Sequence, residues 1–236
     1  MSNGLLLNGK DQLQETRTGN YPQQPGVIRL IAKIISYIFH PAFVPVYIIA
    51  FMLYLHPYFF AGFGTWDKTR VMLMTILMFA FFPIITVLLL KALDFIKTIQ
   101  LNSQKDRIIP LAACMIWYFW ITYVWWSSHK IRGSFTIPKE AVQLALAIFI
   151  ASILTWMINI KMKISLHAIA MGVMLAFFFS LAFTDPLNYG IYIAVTLLIA
   201  GLVCTSRFII SDHTAKEVYG GLAVGIASQL IAAVFV

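Results

Sequence analysis

Charge is what this sequence has least of. Of its 236 residues only 11% are Asp, Glu, Lys or Arg, against roughly a quarter in a soluble domain. That scarcity excludes a disordered chain, a nucleic-acid-binding domain and a water-soluble enzyme, all of which need polar surface. Cysteine is nearly missing as well. Cys114 and Cys204 fall inside apolar runs without the spacing of a metal site or a disulfide framework, so they read as small buried side chains. Residues 1–26 lack the basic-then-apolar pattern of a signal peptide. They are expected to form a short, mobile polar tail ahead of one domain, residues 27–236, with the first apolar run retained as a span.

In place of charge the chain has 61% apolar residues, enough for roughly seven membrane crossings at about 20 residues each. Apolar stretches run over about 34–56, 71–93, 108–127, 141–159, 166–183, 190–210 and 218–236. None shows the alternation of a transmembrane strand, which leaves helices as the spanning element. The expected fold is therefore all-α, a multi-pass transmembrane helical bundle of about seven spans. Pro41 and Pro45 interrupt the first stretch and Pro83 the second, which predicts kinks. The Trp117, Trp120, Trp125 and Trp126 cluster reads as an interfacial belt with lipid-facing surface. Gly220, Gly221 and Gly225 are expected to allow close helix packing.

Parity sorts the connections. Two spans separate the 94–107 loop from the 159–167 loop, and two more lead to 205–217, so these three share one membrane face. That face gathers Lys97, Lys105, Arg107, Lys161, Lys163, Arg207 and Lys216 with His167, His213 and Glu217. The formal charge of +8 suits phosphate-bearing partners, anionic headgroups or ordinary basic loops.

The most specific segment on that face is Ser206-Arg207-Phe208-Ile209-Ile210-Ser211-Asp212-His213-Thr214-Ala215-Lys216-Glu217. On one continuous helix, spacings of seven and four return to nearly the same face, so Ser206, His213 and Glu217 are expected to form a stripe flanked by Arg207. Glu217 then fixes the tautomer of His213 and leaves the other ring nitrogen to attack an electrophile. Arg207 and Ser206 suit the oxygens of a phosphoryl group.

This segment resembles the third motif of the type 2 phosphatidic acid phosphatase superfamily: Ser-Arg, five residues, His, three residues, Asp. Ser206, Arg207 and His213 match, and Glu217 stands where the family has Asp. The second family motif, Pro-Ser-Gly-His, corresponds to Ile164-Ser165-Leu166-His167, which keeps the Ser and the His. Two positions apart on a helix they diverge, so Ser165 is expected in a cap before the next helix, whose N-terminal N–H groups suit a phosphate. Leu166 replaces the Gly that allows close backbone approach. The first motif, Lys, six residues, Arg-Pro, is displaced: Gln100 stands seven residues before Arg107, and Pro110 follows later. Arg107 is carried over as a phosphate ligand and Lys105 as a weaker one. His40 can reach the same face, but a packed, kinked span entrance is the expected role.

The resemblance implies a lipid-phosphate phosphatase of the cell membrane that needs no metal or other cofactor. His213 attacks phosphorus, Glu217 orients it, and Arg207, Ser206, Ser165, Arg107 and Lys105 hold the equatorial oxygens. His167 protonates the leaving alkoxide, and water resolves the phosphohistidine. Neutral His213 and protonated His167 together imply a bell-shaped pH profile. Substrates in this class are phosphatidate, phosphatidylglycerophosphate and isoprenoid phosphates, and nothing in the sequence selects among them or sets an oligomeric state. A second class stays open: a non-catalytic lipid-binding, transport or scaffold protein in which Gln100, Leu166 and Glu217 mark decayed motifs. Leaving out the site candidates, basic residues number eight on the motif face with the N-terminus and five opposite, a lean toward a cytoplasmic site.

Overall fold

A computed structural model of the protein describes residues 5–8, 12–15, 24–96, 98, 104–131, 135–210 and 213–236. Six helices are long and apolar enough to cross a bilayer: Thr65–Ala92, Asp106–Ile131, Lys139–Lys161, Leu166–Thr184, Gly190–Ile209 and Ala215–Phe235. The protein is thus an all-α, multi-pass membrane bundle. Its N-terminal stretch, expected to be unstructured, carries a short antiparallel hairpin, β1 (Leu5–Asn8) with β2 (Gln12–Glu15).

The first apolar stretch is where the structure departs from the simple count of spans. It divides at the turn around Pro41 into α1 (Gly26–Ile38) and α2 (Val44–Ala50), which continues as a π-helical segment, Phe51–Leu55. Pro45 is not a kink but lies in the first turn of α2, where its missing N–H has no partner to lose. The helix Val44–Leu55 is short, yet the flanking residues His40 and His56 carry this segment to both ends of the bundle. At one end the rings of His40 and His167 lie 5.6 Å apart. At the other, His56 Nε2 and Tyr189 Oη are 2.9 Å apart, and Tyr189 donates to Asp185 Oδ2 at 3.0 Å.

The next span is α3 (Thr65–Thr75), a π segment (Ile76–Phe81) and α4 (Phe82–Ala92). Pro83 falls where the π segment hands over to α geometry, so the ladder widens where a donor is missing. Then come α5 (Gln104–Ile131), α6 (Lys139–Lys161), α7 (Leu166–Thr184), α8 (Gly190–Ile209) and α9 (Ala215–Phe235). Gln104 and Asn159 exchange side-chain-to-backbone hydrogen bonds of 2.7 and 2.8 Å, tying the start of α5 to the end of α6.

The core lies between α2, α6, α7 and α9, while α8, α4 and the outer side of α5 present apolar side chains outward, as a bilayer-embedded surface does. Trp125 departs from the belt expectation, since it is only 1% exposed and packs in the core, whereas Trp120 is half exposed. Gly221 and Gly225 do face a neighbouring helix, and Gly220 does not: a Cβ there would meet nothing within 4 Å.

Candidate active site

The site is built at the end of the bundle where α5, α7 and α9 begin and α6 and α8 end. The expected continuous stripe through Ser206, His213 and Glu217 does not form. α8 stops at Ile209 and a new helix, α9, starts at Ala215. Its cap is Thr214, whose Oγ1 accepts the N–H of Glu217 at 3.4 Å. The Thr-x-x-Glu spacing of a capping box was the sequence signal for this break. His213 therefore sits just outside the helix and Glu217 in its first turn, and this still brings them together. His213 Nδ1 and Glu217 Oε2 are 2.6 Å apart, with the imidazole side chain 2% exposed. A carboxylate only accepts, so Nδ1 carries the proton and Nε2 keeps its lone pair.

Ser165 takes the predicted place. It caps α7, fully buried, its Oγ accepting the N–H of Ala168 at 3.4 Å. Its own N–H donates to the carbonyl of Glu217 at 3.1 Å, so the starts of α7 and α9 are joined directly. This contact depends on close helix approach: a Cβ on Gly225 would lie 2.1 Å from the carbonyl oxygen of Ile169, and one on Gly172 2.2 Å from that of Leu222. Leu166 lines an apolar cavity.

The cations come from three elements. Arg107, 6% exposed in the first turn of α5, donates Nη1–H to the carbonyl of Ile164 at 2.8 Å. Arg207, 9% exposed in the last turn of α8, donates Nη1–H to Ser36 Oγ at 3.4 Å. Lys163 is half-buried in the α6–α7 connection. Lys105 belongs to the first turn of α5, but its side chain lies outside the described residues, as does Gln100. Ser206 is buried on α8 and commits its proton to the Leu202 carbonyl at 2.8 Å, so it has no proton to give a ligand.

Two further residues complete the cluster. Ser36, on α1, is bonded twice: its hydroxyl receives Arg207, and its carbonyl receives His167 Nε2–H at 3.0 Å. His40 packs edge-on against His167, and its Nδ1 accepts the N–H of Ala42 at 3.3 Å. Neither had a sequence signal beyond the polarity of Ser36 within an apolar stretch and the placement of His40 on the right face.

Electrostatics follow from this geometry. Burial holds the His213 ring below its ordinary value of 6.5; the Glu217 bond opposes this, and the charges of Arg107, Lys163 and Arg207 add to the lowering. Burial and then Arg207 lower His40 likewise. His213 is thus neutral at neutral pH, a nucleophilic form, while the surrounding cations favour an anionic ligand. Among the described residues no group of three or more His, Cys, Asp or Glu is placed to hold a metal ion. Comparison of the chain with protein families, with curated proteins and with solved structures finds no match.

Proposed function

We propose that this site hydrolyses a phosphate monoester or diphosphate of a membrane lipid through a phosphohistidine. The observation that carries the reading is the 2.6 Å bond from His213 to Glu217 within reach of three cationic side chains. His213 Nε2 attacks phosphorus, the Nε2–P bond forms and the P–O bond to the lipid breaks. Glu217 holds the imidazolium that results. Arg207 and Arg107 move their N–H groups from Ser36 and Ile164 onto the equatorial oxygens, where fixed donors act on developing charge. His167 is the group placed to give a proton to the departing oxygen, the negative charge of the bound phosphate favouring its doubly protonated form. Water then attacks phosphorus and gives a proton to the now neutral His167, the N–P bond breaks, and His213 and inorganic phosphate are released. The N-terminus of α7, capped by Ser165, supplies further N–H groups.

The test is phosphate release by purified protein from phosphatidate, phosphatidylglycerophosphate and a polyprenyl diphosphate, with His213→Ala beside it. Release is expected from at least one lipid, falling by about 10³-fold or more in the variant, as for loss of a nucleophile with its base. Equal rates in both proteins would end the proposal.

A second reading has its own observation: Ser36 already receives hydrogen bonds from both His167 and Arg207, as a binding protein at rest would arrange. In that reading the chain holds a lipid phosphate without cleaving it. Tungstate binding that disappears in Arg207→Ala, with no release from any lipid, would favour binding alone.

A further inference from the structure

An apolar cavity of about 120 Å³ opens beside the cluster, between α2, α5, α6 and α7. Its upper wall is Pro41 and Leu166, the chain neighbours of His40 and His167, and it continues past Ile169 to Val173 and past Ala151 to Leu144. From Leu166 to Val173 is about 10 Å along α7 at 1.5 Å per residue. The two hydroxyls of α6 in the wall, Ser152 and Thr155, donate to carbonyls of their own helix, so neither offers the space a free proton. Tyr118 of α5 adds its ring to a wall that is aliphatic apart from those two hydroxyls, and cavities lined mostly by apolar groups accept hydrocarbon. At about 120 Å³ the space is a little smaller than the roughly 150 Å³ apolar cavity that takes one benzene ring, so it fits a stretch of one hydrocarbon chain and not two side by side.

We propose that this cavity is the slot for a single hydrocarbon chain, holding the segment next to the phosphate of the lipid bound at His213. The inference rests on the phosphate site proposed above, and adds that one chain is gripped beneath the head while the rest extends toward the bilayer. Its position fixes the order of groups along the ligand: phosphate at His213 and Arg207, then the chain past Pro41 and Leu166. Shape complementarity near the head, rather than the cation cluster, then distinguishes one lipid phosphate from another.

The full protein in nanodiscs, given a single-chain alkyl phosphonate with a diazirine close to its head, tests this without requiring turnover. Adducts are expected on α6 around Ala151 and on α7 at Ile169–Val173, suppressed by excess alkyl phosphate. They should fall about tenfold in Ala151→Phe, which fills the slot, and move deeper along α7 in Val173→Ala, which enlarges it. The matching alkanol probe is expected to label the slot far less, since it lacks the anionic head. Adducts confined to outward-facing residues such as Leu197 and Leu198 would overturn the proposal, and so would slot labelling equal for the alkanol. Adducts undiminished in Ala151→Phe and unmoved in Val173→Ala would do the same. Phosphate release from an alkyl phosphate is read on the same preparations. Slot labelling without release removes the phosphatase reading and keeps the slot; release without slot labelling does the reverse.

Discussion

Glu217 serves the site twice from one position. Its carboxylate orients His213, and its backbone carbonyl receives the N–H of Ser165, so the residue that holds the proposed nucleophile also sets the distance to the opposite helix start. The His213–Glu217 partnership was legible in the sequence because it is local, four residues apart. The contribution of Ser36 was not, because a serine in an apolar run carries no signature and its partners lie far along the chain. Lys163 allows a test at this scale. Its charge disfavours the protonated ring of His213, so Lys163→Gln raises the proton affinity of that ring. In the proposed mechanism activity is expected to fall on the acid side as pH drops through the value for His213, which burial holds below 6.5. The acid limb of the pH–rate profile is therefore expected to move to higher pH in Lys163→Gln. A residue that only holds the α6–α7 connection in place would lower the rate and leave that limb where it is.

The helices themselves were easy to read, since long apolar runs with polar breaks leave few alternatives, but their ends were not. Read as one helix, residues 206–217 hide the Thr214 cap, and of the two prolines expected to kink the first stretch only Pro41 marks a break. What mattered most for the site, the contact between α7 and α9, was legible only as a group of glycines. Gly225 and Gly172 meet backbone to backbone, closer than any side chain permits. Gly225→Val is expected to destabilise the protein by about 1–3 kcal/mol or more through overpacking, and to separate Ser165 from Glu217. Gly220→Ala, on the same helix with open space beside it, is expected to leave stability unchanged or raise it slightly. Thermal unfolding in detergent with phosphate release on the same samples checks both, and similar losses in the two variants would count against the close contact.

At the scale of the whole molecule, parity placed three connections on one face, and contacts between them follow that grouping. Arg107 reaches Ile164, and Ser165 reaches Glu217. Parity cannot report that α2 is short, yet the chain from His40 to His56 runs beside α7 from end to end, as the rings of Phe51 and Phe178, 5.0 Å apart, also mark. Single cysteines at Met162 or Thr214 are expected to react with an impermeant thiol reagent from one side of sealed vesicles, and cysteines at Tyr58 or Leu187 from the other, in a protein whose own cysteines are replaced. Labelling of Met162 and Leu187 from the same side would break the topology.

The pairing of α7 with α9 skips over α8, and so has a consequence for biosynthesis. When α7 enters the bilayer, Ser165 and His167 arrive without His213 and Glu217, and α8 must be made before those residues exist. Until then the groove at Gly172 faces lipid or the insertion machinery rather than α9. The proposed nucleophile is therefore the last part of the site to be synthesised, and a nascent chain halted after α8 has Arg107, His167 and Arg207 but neither His213 nor Glu217.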